Sequence, residues 1–567
     1  MRKLKITGIA LLIFFGGLIA ALYIYFLPGS IPADDGTPLL IYNGRIITMD
    51  EAIGPVEAVV TEKGRIRFAG SLKSATELLS PDAIKLDLKG KTLIPGFNDN
   101  HTHSFYGAAF FSELVLWKKS CSEIAELVKS EAARLGPGET ITGNSWDYTD
   151  CPAPHRSMLD AAAPNNPVYL TQYSGHAAWV NSAMLKKLGI DRNTPDPPGG
   201  QIVRDAKGEP TGILRDTAMG SSAYEQFVGY LMSPTKHRML IEKALNIYRR
   251  AGITTTQDNT WEPFTVRLLN RLAAEGALTC RFTCWSQGDS FMEAPFNLFA
   301  FFHKSGLLVH RGPIKYFSDG AFSTRTAWLF EEYADEPGNT GSPRYTESEM
   351  EDIVMAAARS KRQIAVHAIG DRAVNQVLNA IEKAQAKYPW TKDLRFRIEH
   401  LQLVRPDDIP RMKRLGVVAS VQPFTLNDPE KDVKLLGAGR AATAYRFRSM
   451  LHAGIPVSFG SDIPSEVDYD PMLAIYYAVT RKSKDGKHGP LNPEECFTVQ
   501  EALRCYTMGS AYAEGMENEK GSITPGKLAD FAVLSADPTA VAPDSLKDIK
   551  VLMTIMSGKV VFDALKD

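Results

Sequence analysis

The chain has almost no net charge: 64 Lys and Arg stand against 65 Asp and Glu in 567 residues, a formal −1 at pH 7. Without a basic or acidic excess, neither nucleic acid nor an acidic surface is indicated as a partner. Cysteine is scarce. The six cysteines (Cys121, Cys151, Cys280, Cys284, Cys496 and Cys505) show no zinc-finger spacing. If Cys280 and Cys284 share a strand they face the same way about 13 Å apart, too far for a disulfide, and so read as core residues. No cysteine follows the N-terminal apolar run, which excludes a lipoprotein-type lipidation site. Apolar residues, by contrast, make up 44% and charged ones 23%, as in a globular chain with a sizeable core. The length suggests about three or four domain-sized units.

One stretch lacks charge altogether. Arg2, Lys3 and Lys5 precede Ile6–Leu27, which carries none. A secretory apolar region usually takes about 7–15 residues, and spanning a bilayer takes about 20. Residues 1–30 therefore read as an uncleaved signal anchor, with a long cleaved signal peptide as the alternative. The positive flank stays in the cytoplasm. That puts the remainder outside it, membrane-anchored or secreted.

The rest divides by rhythm. Residues 39–93 are short strand-like phrases with turns at Asn43-Gly44 and Lys63-Gly64, and residues 520–567 answer in kind with a turn at Ser557-Gly558. Neither piece has enough chain for its own core, so the two ends together predict one small β-domain. In residues 94–103 and 235–519, helical patterns end at a glycine and an apolar run follows. Gly252, Gly276, Gly416 and Gly454 mark these joints, as residues just past a helix C-terminus. With TLIPGFNDNHTH, IKYFSDG, QIAVHAIG and RFRIEH they give eight strand candidates, apolar on both faces and alternating with helices. The prediction is an α/β chain with a TIM-type (β/α)8 barrel. Residues 104–234 break the rhythm, contain TPDPPGG, and read as a long insertion after the first barrel strand.

Six residues with metal-binding chemistry sit at or near the ends of these runs: His101, His103, Lys315, His367, His400 and Asp462. Residues i and i+2 of a strand face the same way, so His101 and His103 enter the barrel together. Strand C-termini converge on one face of such a barrel, where active sites lie. Imidazole and carboxylate suit zinc and neighbouring divalent ions. Lysine binds a metal only when deprotonated or converted to a carbamate. Taken singly, each residue is explained as well by packing or an ion pair; their common placement is what points to a metal site.

The phrases PGFNDNHTH, GHAAWVNS, PPGGQIVRDAKGEPTGILRD, IKYFSDGA, VHAIGDRAV, RIEH, FGSDIP and GSITPGKLADFAVL resemble the amidohydrolase superfamily, in particular its YtcJ-like (Amidohydro_3) group. The resemblance runs from about Leu39 to the C-terminus. It implies a barrel with a flanking β-sandwich and metal-dependent hydrolysis of C–N bonds other than peptide bonds in a small-molecule amide. It also implies one or two divalent ions, zinc foremost. His101 and His103 are then ligands of the more buried metal, Lys315 the N-carboxylated bridge, and His367 and His400 ligands of the second metal. Asp462 is both ligand and the group that moves the proton of the attacking water. In the insertion, His176 is expected to contact substrate, and Trp179 is either an aromatic substrate wall or core. Asp319, four residues after Lys315, is expected to bind substrate or orient a ligand, with a local Asx-turn as the alternative. Self-association is left open. Two other functions fit less well: a mononuclear deaminase of a heterocycle, whose catalytic Glu after the fifth-strand histidine is absent from HAIGD, and a non-catalytic membrane-tethered binding protein, in which a lost ligand is expected.

Overall fold

A computed structural model describes residues 38–54, 56–148, 150–173, 177–197, 200–219, 233–260, 263–288, 306–464 and 468–566. The apolar run Ile6–Leu27 lies outside them. Among the described residues no helix is long and apolar enough to cross a membrane.

Eight parallel strands form the central sheet: β1 (Phe97–Thr102), β2 (Ile253–Asp258), β3 (Arg281–Gln287), β4 (Val309–Phe317), β5 (Ile364–Ala368), β6 (Arg397–His400), β7 (Val418–Val421) and β8 (Val457–Phe459). Neighbours in sequence are neighbours in space, from β1 through to β8. Each of the eight corresponds to a strand expected from the sequence. Apart from β4, which is partly buried at several positions, they are buried along almost their whole length, as strands of a parallel sheet covered on both faces are. The sheet nearly closes. Past the end of β8, the Asp462 N–H donates to His101 O (2.7 Å), and the His103 N–H donates to Ile463 O (3.0 Å). The four joint glycines have φ of 75°, 70°, 68° and 83° in chain order, left-handed values that glycine adopts without a Cβ penalty.

The chain ends come together as expected. Leu39–Tyr42, Ala58–Glu62, Arg65–Gly70 and Ile84–Asp87 make one sheet, while Arg45–Ile46 and Thr92–Pro95 join Phe531–Leu534, Val551–Met556 and Lys559–Asp563 in another. One apolar cluster unites them, with Ile41, Val59 and Leu93 packed among Phe531, Val533 and Ile555. Lys63-Gly64 and Ser557-Gly558 are two-residue hairpin turns with φ of 51°/71° and 52°/72°, as type I′ requires. Asn43-Gly44 is different. The strands on either side of it belong to different sheets, so it carries the chain across rather than folding it back. A Cβ on Gly44 would sit 2.3 Å from Lys91 O, and this close approach is what calls for glycine. Thr92–Pro95 likewise belongs to the terminal sheets, and the barrel begins at Phe97.

The described residues form two compact units: those up to Ser104 with those from Leu245 onward, and those within Phe105–Ala244. The barrel and terminal sheets count as one unit because buried contacts such as Arg281–Asp530 (2.7 Å) tie them together. The second unit carries its own six-stranded sheet, ordered Gly200–Arg204, Pro210–Asp216, Ala177–Val180, Val168–Gln172, Ile141–Trp146, Leu114–Val115. Its helix Cys121–Arg134 starts at a disulfide between Cys121 and Cys151, their Cα atoms 4.7 Å apart. Cys280 and Cys284 are buried and not disulfide-bonded, in keeping with the core reading.

Candidate metal centre

All six residues come together at the C-terminal strand ends. His101 lies in β1 and His103 just beyond it, Lys315 in β4, His367 in β5, His400 at the end of β6, and Asp462 just beyond β8. Asp462 is the hub. Its Oδ1 lies 3.1 Å from His103 Nε2 and 3.4 Å from His101 Nε2, and its Oδ2 lies 3.9 Å from His400 Nδ1. Lys315 Nζ is 3.1 Å from His101 Nε2. The ring centroids of His367 and His400 are 4.3 Å apart, those of His101 and His400 5.3 Å.

The backbone bends to achieve this. His400 has φ 76° and Asp462 φ 54°, values that side-chain-bearing residues rarely adopt. On an extended strand Glu399 and His400 would face opposite sides. The left-handed residue ends the extended run, so both approach His101: Glu399 Oε2 is 2.7 Å from His101 Nδ1. Strain of this kind costs on the order of 1–3 kcal/mol and is characteristic of functional sites.

Burial tunes the donors. It pushes the His101 imidazole down to about 4 and that of His400 to about 3, and carries His367 well below its ordinary value. These rings are therefore neutral at pH 7, with a lone pair to give. Burial also pushes the Lys315 ammonium down to about 8, which brings its neutral amine within reach. Burial alone would raise the Asp462 carboxyl, but the imidazoles of His101, His103 and His400 hold it well below the usual carboxylate range.

The residues fit a divalent cation. One ligand atom each from His101, His400 and Asp462 lies within 4.8 Å of the others. Among the described residues no donor meets the buried Asp462 Oδ1 with hydrogen-bonding geometry, and a buried carboxylate oxygen left so is costly unless a cation takes it. His367 Nε2 donates to Gly320 O (3.0 Å), which leaves its Nδ1 lone pair available.

The contacts of Asp319 and Trp179 match one of the two readings given for each. Asp319 is buried in its own loop. It accepts N–H bonds from Trp328 (2.9 Å), Ile369 (3.0 Å) and Gly370 (2.9 Å). Its Oδ1 lies 3.5 Å from His367 Nε2, and burial lifts its carboxyl to about 7. It builds the loop that holds His367, the orienting role. Trp179 is a core residue: it is fully buried among Trp146, Leu170 and Ile213, its ring 6.0 Å from that of Trp146. His176 lies outside the described residues.

Two buried residues behind His101 escape a reading based on metal-ligand types, namely Glu399 and Arg397. Their signal was present in RIEH, where the charges of Arg397 and Glu399 at i, i+2 spacing share one face of a strand.

The amidohydrolase family profile matches residues 86–562. The chain belongs to this family. It is 32% identical to the putative amidohydrolase YtcJ of Bacillus subtilis over 92% of this chain and 99% of that one. It is 30% identical to an N-substituted formamide deformylase of Arthrobacter pascens, over 92% of this chain and 97% of that one. The crystal structure of an uncharacterized metal-dependent hydrolase from Pyrococcus horikoshii superposes with a TM-score of 0.74 at 27% identity, over 89% of this chain and 99% of that one. This amidohydrolase is thus a hydrolase of non-peptide C–N bonds with a candidate metal site in its barrel.

Proposed function

We propose that this amidohydrolase cleaves the C–N bond of a small N-substituted formamide or a related N-acyl or cyclic amide, and does so outside the cytoplasm. The observation that carries the reading is the convergence of two imidazoles and an unsatisfied carboxylate oxygen, beside Lys315, at the strand ends. The deformylase likeness, which extends over nearly the whole of both chains, supports the substrate class.

His101 and His103 would hold a first divalent ion, zinc foremost, and His367 and His400 a second. Lys315, once its neutral amine has taken up CO2, would bridge them as a carbamate. When bound, the metal supplies a Lewis acid for the carbonyl and lowers the pKa of water toward about 7. Asp462 would accept the proton of the attacking water and return it to the leaving nitrogen. It is ionised at neutral pH, and its Oδ1 is turned into the cluster. Asp319 holds the loop around His367. A free Lys315 would leave a one-metal site with the same hydrolytic chemistry.

The test is a hydrolysis screen of the metal-loaded enzyme against N-formyl, N-acyl and cyclic amides. Turnover of N-substituted formamides is expected, lost on chelation and restored by zinc, with about two ions per chain by elemental analysis. Silence across the whole panel would overturn the substrate assignment.

The location rests on two supports, the charge-free run after Arg2, Lys3 and Lys5 and the Cys121–Cys151 disulfide. Disulfides persist mainly in oxidising compartments. Alkylation without reductant, followed by peptide mass mapping, is expected to leave Cys121 and Cys151 linked while unfolding exposes Cys280, Cys284, Cys496 and Cys505 to modification. Free Cys121 and Cys151 in native material would remove that support.

A further inference from the structure

Behind the metal-facing side of His101 lies a second layer of charge. Glu399 and His101 are each fully enclosed, and the contact between Glu399 Oε2 and His101 Nδ1 is 2.7 Å. Glu399 is itself gripped. Arg397 Nε donates to its Oε1 at 2.9 Å, and the Ser420 hydroxyl donates to Oε2. Arg397 is equally buried and directs its remaining donors to Asn100 O (2.8 Å), Ser420 Oγ (3.0 Å) and the Gln257 side-chain Oε1. Its guanidinium lies 4.5 Å from the ring centroid of Trp285. Trp285 in turn stands 5.2 Å from the His101 ring. A charged pair excluded from water is costly to build, and a neutral hydrogen-bonded pair would serve the fold as well. Its position against one ligand is therefore informative.

The geometry points to Glu399 as the positioning residue of the metal centre, with Arg397 as its clamp: together they fix the tautomer and ring plane of His101. An ionised carboxylate only accepts hydrogen bonds, so Nδ1 must carry the ring proton, which leaves the Nε2 lone pair facing Asp462 and Lys315. The pairing of Arg397 with Glu399 keeps that carboxylate ionised and prevents it from swinging toward a metal. The i, i+2 spacing on β6 aims both residues at the same point, and the left-handed turn at His400 lets the adjacent residue serve as a ligand. One strand thus supplies a ligand, the orienting acceptor for another ligand, and the cation that balances it. This inference rests on the metal-centre reading of His101 but not on the identity of the substrate.

The test is Glu399→Gln in the full chain, read by zinc affinity against a competing chromophoric chelator and by the visible spectrum of the cobalt(II)-substituted protein. Glutamine keeps the size but loses the charge, and its amide can present NH2 where His101 needs an acceptor. A folded Glu399→Gln protein is expected to bind zinc about 10–100-fold more weakly, with shifted cobalt bands, and to lose kcat with little change in KM. Wild-type zinc affinity together with an unchanged cobalt spectrum would overturn the proposal. Since Glu399→Gln leaves Arg397 buried without its partner, the pair Arg397→Gln with Glu399→Gln serves as the second variant. It removes both charges, and the same loss of affinity is expected. Wild-type affinity in that folded double variant overturns the role equally. Neither metal readout requires turnover, so a failed substrate screen leaves the test intact.

Discussion

Asp462→Asn is expected to lower kcat by about 10³-fold or more while leaving the protein folded and able to take up metal. The size of the effect follows from what the residue does at one point in space. Its Oδ1 is buried and lies 3.1 Å from His103 Nε2 and 3.4 Å from His101 Nε2. Asparagine is isosteric, so the backbone bonds from residue 462 to His101 and from His103 to Ile463 should survive. The amide has no carboxylate to accept a proton, and it presents either a weaker ligand oxygen or an NH2 group to the cluster. General acid–base transfer alone accounts for about 10²–10⁴, and a weakened ligand adds to that. Steady-state kinetics with metal content measured in parallel decides the matter. Asparagine activity within tenfold of wild type would remove Asp462 from the proton-transfer role.

The second large effect concerns the joint between barrel and terminal sheets. Arg281, the first residue of β3, meets Asp530, just ahead of Phe531–Leu534, through Nε to Oδ2 (2.7 Å) and Nη2 to Oδ1 (3.0 Å). The same Asp530 Oδ1 accepts the Ser557 N–H at 2.8 Å. The side chains are only 2% and 5% exposed, so water cannot replace a lost partner. Arg281→Met is expected to cost about 3–5 kcal/mol, since it leaves Asp530 buried and charged. Replacing both, Arg281→Met with Asp530→Leu, should recover most of the loss. Urea unfolding monitored by circular dichroism measures both. A single-variant cost under about 1 kcal/mol would mean that the pair is solvated in solution.

Much of the barrel was legible because its signals are local. A glycine such as Gly416 or Gly454 after a helical pattern must sit just past a helix end, and the apolar run that follows must be buried on both faces. The same logic placed the metal candidates at strand ends, where a polar residue terminates an apolar run. Other features depended on partners distant in sequence. Asn43-Gly44 carries the usual hairpin letters, but its flanking strands pair with different sheets, and no local signal reports that. Trp179 lies on a strand whose neighbours decide whether the ring meets solvent or Trp146. Asp319 reads as a loop carboxylate until Trp328, Ile369 and Gly370 are seen to donate to it. The Cys121–Cys151 link depends on where the chain between them returns.

By itself, then, the sequence determined the eight strands, the assembly of both chain ends into one β-region, and the six candidate metal-binding residues, because periodicity, helix termini and donor chemistry are written in consecutive residues. Only the tertiary structure decided which donors face one another. It put His400 and Asp462 in left-handed backbone, brought Glu399 against His101, and set Arg397 behind it. Such orientation arises from hydrogen bonds between strands far apart in the chain and from the exclusion of water that makes each of those bonds obligatory.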